Sequence, residues 1–212
     1  GVVRHADVAE AVGERDASDH LKALGIMGGE ELRTMPVLTR AWRRLSWLSI
    51  NIVLNLIAAS VIAAYQETLT AVIVLAVFLP IISDMSGCSG NQAIAVSMRE
   101  LSLGLIQPAD LLRVWGKELS VGMINAVALG VLLGGAAYAW QGNLALSLVV
   151  GLALTLNTLL SVSLGGLVPL VLRGLRMDPA LASGPILTTV TDMCGFFLVL
   201  SFATAAMPSL GI

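Results

Sequence analysis

No charged side chain falls between Glu118 and Arg173. A charge-free run of roughly 20 residues already crosses a ~30 Å hydrocarbon layer as a helix, so this stretch reads as two spans that turn at Gln141-Gly142-Asn143. The pattern recurs upstream: Leu45 to Gln66 carries no charge, and between Thr68 and Met98 the only charge is Asp84. With 57% hydrophobic and 12% charged residues, the chain falls outside the class of soluble domains, which are about one-quarter charged. It reads as an all-α integral membrane protein with five transmembrane helices, at 45–66, 69–97, 119–140, 144–171 and 183–207.

Short cytoplasmic loops carry the excess of Lys and Arg, and all 12 such residues fall on one side of this topology. Arg4, Arg15, Lys22, Arg33, Arg40, Arg43 and Arg44 precede span one; Arg99, Arg113 and Lys117 join spans two and three; Arg173 and Arg176 join spans four and five. The amino terminus is therefore expected in the cytosol and the carboxyl terminus outside, in the cell membrane. Trp42, Trp47, Trp115 and Trp140 sit near span ends, where an interfacial aromatic belt belongs. The net charge of −2 and the lack of a basic stretch with interleaved aromatics point away from nucleic acid.

Residues 1–40 are soluble in character and are expected to form one or two cytosolic helices, with Val8, Val12, Leu21 and Leu24 on one face and a break at GIMGGE. The opening GVVRHADVAEAV has neither the basic region nor the apolar core of a signal peptide and reads as the continuation of a longer protein. Two cysteines, Cys88 and Cys194, lie within spans and form no C-x-x-C pattern. They read as buried thiols, with soft ligation of a transition metal as the alternative.

An ionisable group at membrane depth is a functional candidate by default, and the spans contain two acids, Asp84 and Asp192. No Lys or Arg lies in the spans to pair with them, so water, a donor network, a proton or a metal ion must meet the charge. Small and polar stripes accompany them: Asn51 and Asn55 in span one, Ala126, Gly130 and Gly134 in span three, Asn157, Ser161 and Gly165 in span four, and Gly184, Thr188 and Asp192 in span five. For the first two stripes helix packing is the plain reading. Span two, through DMSGCSGNQ, reads as broken: Pro80 removes a donor and Gly87 and Gly90 weaken the helix, with Asp84, Gly87 and Asn91 on one face. Pro185 suggests a second break, at the start of span five. Carboxylate, amide, hydroxyl and carbonyl oxygens suit a hard, hydrated divalent cation, which is the chemistry of Mg2+.

Three segments in order, RAWRRLSWLSIN, FLPIISDMSGCSGNQAIAVSMREL and NTLLSVSLGGLVPLVLRGLRMDPALASGPILTTVTDMCGFF, resemble the membrane domain of the MgtE family of magnesium channels and transporters. The likeness covers nearly the whole chain. It implies that residues 1–40 are the end of a CBS-like domain with the connecting, or plug, helix. Residues 41–212 would then be a five-helix pore domain, with further cytosolic amino-terminal and CBS regulatory domains belonging to the full-length chain. It implies a homodimer in the lipid bilayer with the pore on its axis, lined by spans two and five and carrying Mg2+. By position, the family's pore aspartate falls on Asp192, the backbone site one turn earlier on Thr188, and the asparagine of GNQ on Asn91, with Gly87 a turn before it. Gly184 stands where Asn is often found, Thr188 where Ala is common, Cys88 where Asn is common, and Asp84 is an added acid. Gly184 and Asp84 complete the candidate metal-contacting set. Ser18-Asp19 stands where an acidic pair is common, and Arg15 near another expected acid, so closure by cytosolic Mg2+ is expected to be weaker.

The implied activity is passive divalent-cation passage and not an enzyme reaction. A proton- or sodium-coupled metal transporter is the alternative, supported if an acid is protonated in one state. An intramembrane aspartyl protease would need its two acids to share a proton, but TDMCG lacks the GxGD setting of such enzymes. A membrane scaffold without transport is the remaining reading.

Overall fold

The computed structural model describes residues 11, 13–14, 17–22, 25–26 and 28–210, the side chains of 181–183 and 209–210 apart. Val8, Val12 and Leu24 of the expected amino-terminal face lie outside the described residues, as does Arg15. Residues 17–22 are helical, and Gly25, Gly28 and Gly29 follow with positive φ of 83°, 96° and 67°. These angles strain any residue with a Cβ, so the glycine cluster ends the helix and turns the chain.

Six α-helices make up the rest: α1 (Val37–Ala64), α2 (Gln66–Ala71), α3 (Leu75–Ser102), α4 (Leu111–Gln141), α5 (Leu144–Gly174) and α6 (Pro179–Leu210). A 3-10 turn, Pro108–Asp110, precedes α4, and no strand occurs among the described residues. Among the described residues four stretches are long and apolar enough to cross a membrane: Val37–Ala64, Pro108–Gln141, Leu144–Gly174 and Gly184–Pro208. Helix α3 is as long as α1 at 28 residues, about 42 Å, but Asp84, Asn91, Gln92 and its serines keep it out of that set.

Helix α5 is the centre of the bundle. Of its most apolar stretch 61% is buried, against 6% for α1, which rests mainly on α6 at the periphery. Small residues bring α4 close to α5: a Cβ on Gly130 would stand 2.8 Å from the Gly151 carbonyl oxygen, and one on Gly151 equally near that of Gly130. Ser147 Oγ donates to the Gly134 carbonyl at 2.6 Å and Thr155 Oγ1 to the Ala126 carbonyl at 3.3 Å. The Ala126-Gly130-Gly134 stripe is thus a helix-packing surface. An apolar core fills the half of the bundle far from the basic residues, with Leu75, Phe78 and Ile82 of α3, Val150 and Leu154 of α5, and Val199 and Leu200 of α6.

Loops end the helices as their sequences suggest. Gly142 closes α4 in the left-handed region at φ 66°, and Asn143 caps α5 by accepting from the Leu146 amide at 3.1 Å. Asp178 accepts from the Ala180 amide at 3.0 Å, and Pro179 takes the first position of α6, where a missing N–H costs nothing.

Several expectations need correction. Helix α3 runs unbroken through Pro80, Gly87 and Gly90, because the chain interrupts itself earlier, at Tyr65 and at residues 72–74, and starts a new helix at Leu75. Pro80 is the sixth residue of α3, past its first turn, so the helix continues without the bond that a residue with an N–H would make there. Gly90 serves contact instead of unwinding: a Cβ on Gly165 of α5 would collide with its carbonyl oxygen. Helix α6 likewise continues through Pro185, beginning at Pro179. Among the described residues Asn51 and Asn55 do not bond between helices; their amides donate to the carbonyls of Trp47 and Asn51 on their own helix, at 3.1 and 2.9 Å.

Candidate functional site

Asp192 lies half-buried on α6, facing α3. Its carboxylate accepts a short hydrogen bond from Ser83 Oγ, and it has no ion pair among the described residues. The donor that meets this charge is therefore a hydroxyl of the neighbouring helix. Ser83 itself belongs to a buried polar cluster. Ser86 Oγ donates to the Ile82 and Ser83 carbonyls at 2.7 and 3.0 Å and accepts from Asn157 Nδ2 at 2.6 Å. Ser161 Oγ donates to the Ser86 carbonyl at 2.5 Å.

The other candidates fall into two groups. One turn before Asp192, Thr188 is half-buried and its hydroxyl donates to the Gly184 and Pro185 carbonyls at 3.1 and 3.3 Å. Gly184 and Asn91 meet at a cavity of about 580 Å3 that Asp19, His20 and Arg99 also line. Gly87 is buried, yet a Cβ there would meet nothing within 4 Å, so it borders open space. Asp84 and Cys88 stand one turn apart on an exposed side of α3 with Asn91. Among the described residues neither Asp84 nor Asn91 makes a side-chain hydrogen bond, and no three His, Cys, Asp or Glu side chains converge as a ready metal cage. Cys194 is half-buried, two residues beyond Asp192. The structure thus brings Asn91 to Gly184 at one cavity, while among the described residues no hydrogen bond joins Asp84 to Asp192.

At the basic end the amino-terminal segment is tied down twice. Lys22 Nζ lies 3.0 Å from Asp178 Oδ2 and 3.6 Å from Asp19 Oδ1, and its hydrogen bond to Asp178 raises its pKa above the ordinary lysine value. Glu31 is clasped by Arg44 and by Arg40, the latter at 2.9 Å, and these bonds, Arg44's first, hold its carboxyl down at about 2. Arg43 donates to the Glu30 carbonyl. The helical residues 17–22 are so held beside the cavity that contains Asn91.

Sequence reasoning missed Ser83 and Ser86. Their i, i+3 spacing puts both on the face of α3 that meets α5 and α6, but serines in a membrane helix also bond to their own backbone, so spacing alone names no partner. Asn157 and Ser161 stood in a stripe whose counterpart only the packing supplies. Two further hydroxyl pairs, Tyr65 with Ser201 at 2.9 Å and Thr68 with Thr204 at 2.8 Å, join the α1–α2 region to α6.

The family model described as MgtE, divalent cation transporter, matches residues 79–202, which contain α4 and α5 whole and most of α3 and α6. Three curated relatives are magnesium transporters of that family. The chain is 31% identical over 210 residues to that of Bacillus subtilis, covering 99% of this chain and 46% of the relative. It is 30% identical to that of Enterococcus faecalis and 32% identical to that of Thermus thermophilus, each over 207 residues and 45% of the relative. The chain spans about half the length of these relatives.

Proposed function

This chain belongs to the MgtE family of divalent cation transporters, and from that premise we propose that it forms the cation path of a Mg2+-preferring channel, built by two copies of the chain. One observation carries the reading. Helix α3 leaves Asp84 and Asn91 exposed, and α6 leaves Asp192 half-exposed, at a depth where polar groups must face protein or water. A second copy set against this face would enclose α3 and α6 of each subunit around a shared aqueous space. Five crossings follow if α3 spans the membrane once its polar face is covered, with the basic end in the cytosol.

In that arrangement each component has a task. Mg2+ is small and sheds its waters reluctantly, so it would pass as a hydrated ion, its water protons donated to oxygens of the wall. Two Asp192 carboxylates across the axis would supply the charge, each held by its Ser83 hydroxyl. The oxygens at Thr188, Gly184, Gly87 and Asn91 would take the water shell on the way to the basic end, and Asp84 would add charge to the wall of α3. Residues 1–40 would act as a cytosolic segment, and 41–212 as the membrane pore domain of a protein in the cell membrane.

The test is Mg2+ influx into proteoliposomes holding the wild type, Asp192→Ala and Asp192→Asn. Influx in the wild type and its loss in both variants is expected. Undiminished influx in both variants would remove Asp192 from the path.

A further inference from the structure

Asn157 is fully buried on α5, outside the set of residues that line the proposed path, yet it touches both helices that do. Its Nδ2 donates to Ser86 Oγ of α3 at 2.6 Å. On its other side stands Gly195 of α6, three residues beyond Asp192, where a Cβ would lie 2.7 Å from the same nitrogen. A side chain at 195 would push the two helices apart, so glycine is what lets the amide wedge between them.

From Asn157 the contacts pass through Ser86 to the backbone of Ser83, and from the side chain of Ser83 to Asp192. Ser86 Oγ donates to the Ser83 carbonyl at 3.0 Å, and Ser83 Oγ donates to the Asp192 carboxylate. Ser161, one turn along α5, fixes the same turn of α3 through the Ser86 carbonyl. The turn of α3 that carries Ser83 is thereby pinned to α5, and Asp192 is pinned to that turn.

The amide is not explained by packing alone. Its Oδ1 has no partner among the described residues, and a buried acceptor left unpaired is a cost that an apolar side chain of the same size avoids. The bond to Ser86 is the gain that sets the amide apart from leucine at this place.

We infer that Asn157 is a positioning residue for ion discrimination: through Ser86 and Ser83 it fixes where the Asp192 carboxylate stands, and so how well the path fits hydrated Mg2+ against the larger Ca2+. The inference rests on the reading that Asp192 borders the ion path. Mg2+ and Ca2+ differ in size and in the rigidity of their coordination, so a shift of the carboxylate by a fraction of an ångström alters their ratio before it abolishes passage.

The test uses the full-length protein in proteoliposomes, with Mg2+ and Ca2+ influx measured separately and folding checked by monodispersity and thermal melting in detergent. Asn157→Leu is expected to change the ratio of the two influxes by at least about threefold, the scale of coupling within one hydrogen-bonded network. Ser86→Ala should move the ratio in the same direction, and the double variant should move it no further than the larger single one. A folded Asn157→Leu with an unchanged ratio overturns the inference, as does a double variant whose effects multiply. Should Asn157→Leu fail to fold, Ser86→Ala with Ser83→Ala supplies the same comparison, with the same two outcomes. If Asp192→Asn passes both ions as the wild type does, the ion-path reading fails and takes this one with it; if Asp192→Asn blocks while Asn157→Leu leaves the ratio alone, only the positioning role falls.

Discussion

Ser83 on α3 donates a hydrogen bond to the carboxylate of Asp192 on α6. A hydrogen bond to a charged group contributes roughly 1.5–3 kcal/mol, less where water competes for the half-exposed carboxylate. Ser83→Ala is expected to lower Mg2+ influx roughly fivefold, the equivalent of about 1 kcal/mol, and Ser83→Thr to restore most of it. Equal influx in the wild type and Ser83→Ala, measured as initial rates in proteoliposomes, would show that the bond does not matter to passage.

The two glycines of α3 should behave oppositely. A Cβ on Gly90 would collide with Ser161 Oγ and lie 2.8 Å from a Leu187 methyl, whereas one on Gly87 meets open space. Gly90→Ala should destabilise the protein by about 1–3 kcal/mol, as overpacking does. Gly87→Ala should be neutral or stabilising by up to about 1 kcal/mol, the gain of Ala over Gly in a helix. Thermal melting in detergent separates them, and the reverse order would mean that α3 packs differently against α5.

Cys88 is exposed on the polar side of α3, while Cys194 is half-buried. If that side borders water, a charged, membrane-impermeant thiol reagent should modify Cys88 and reduce Mg2+ influx, and Cys88→Ser should protect. Labelling that proceeds only with a lipid-soluble reagent would place this side against lipid.

Asp178 both caps α6 and pairs with Lys22. An exposed ion pair contributes no more than about 1 kcal/mol, so Lys22→Ala should barely move the melting temperature. Asp178→Ala loses the cap as well and should cost about 1 kcal/mol more, with Asp178→Asn keeping the cap. Because folding raises the Lys22 pKa, the contribution of the pair is complete below the ordinary lysine value and fades as pH rises through the raised one.

Glu31 shows the opposite sign. Its pKa falls from 4.5 to about 2 on pairing with Arg44 and Arg40, so the clasp is complete above about pH 4.5 and is lost as pH falls through 2. Hydrogen exchange across residues 28–36, corrected for intrinsic rates, should be unchanged from pH 7 to 5 and rise below that. Glu31→Gln should show the raised exchange already at pH 7.

The apolar helices at spans one, three, four and five, the turn at Gln141-Gly142-Asn143 and the two isolated acids were legible in the chain itself, because hydrocarbon excludes charge and a helix needs a set length to cross it. The family was legible too, in motifs that hold their order along the chain. Continuity of α3 was not, since a proline or a glycine breaks a helix or is carried within it according to what the helix packs against. That is settled by the packing of α3 on α5, with the backbone of Gly165 across from Gly90. Nor could the chain reveal what answers the charge of Asp192. Ser83 lies 109 positions away, and a serine in a helix has its own backbone as a partner everywhere, so only the approach of α3 to α6, with Asn157 wedged behind them, decides that its hydroxyl turns to the carboxylate.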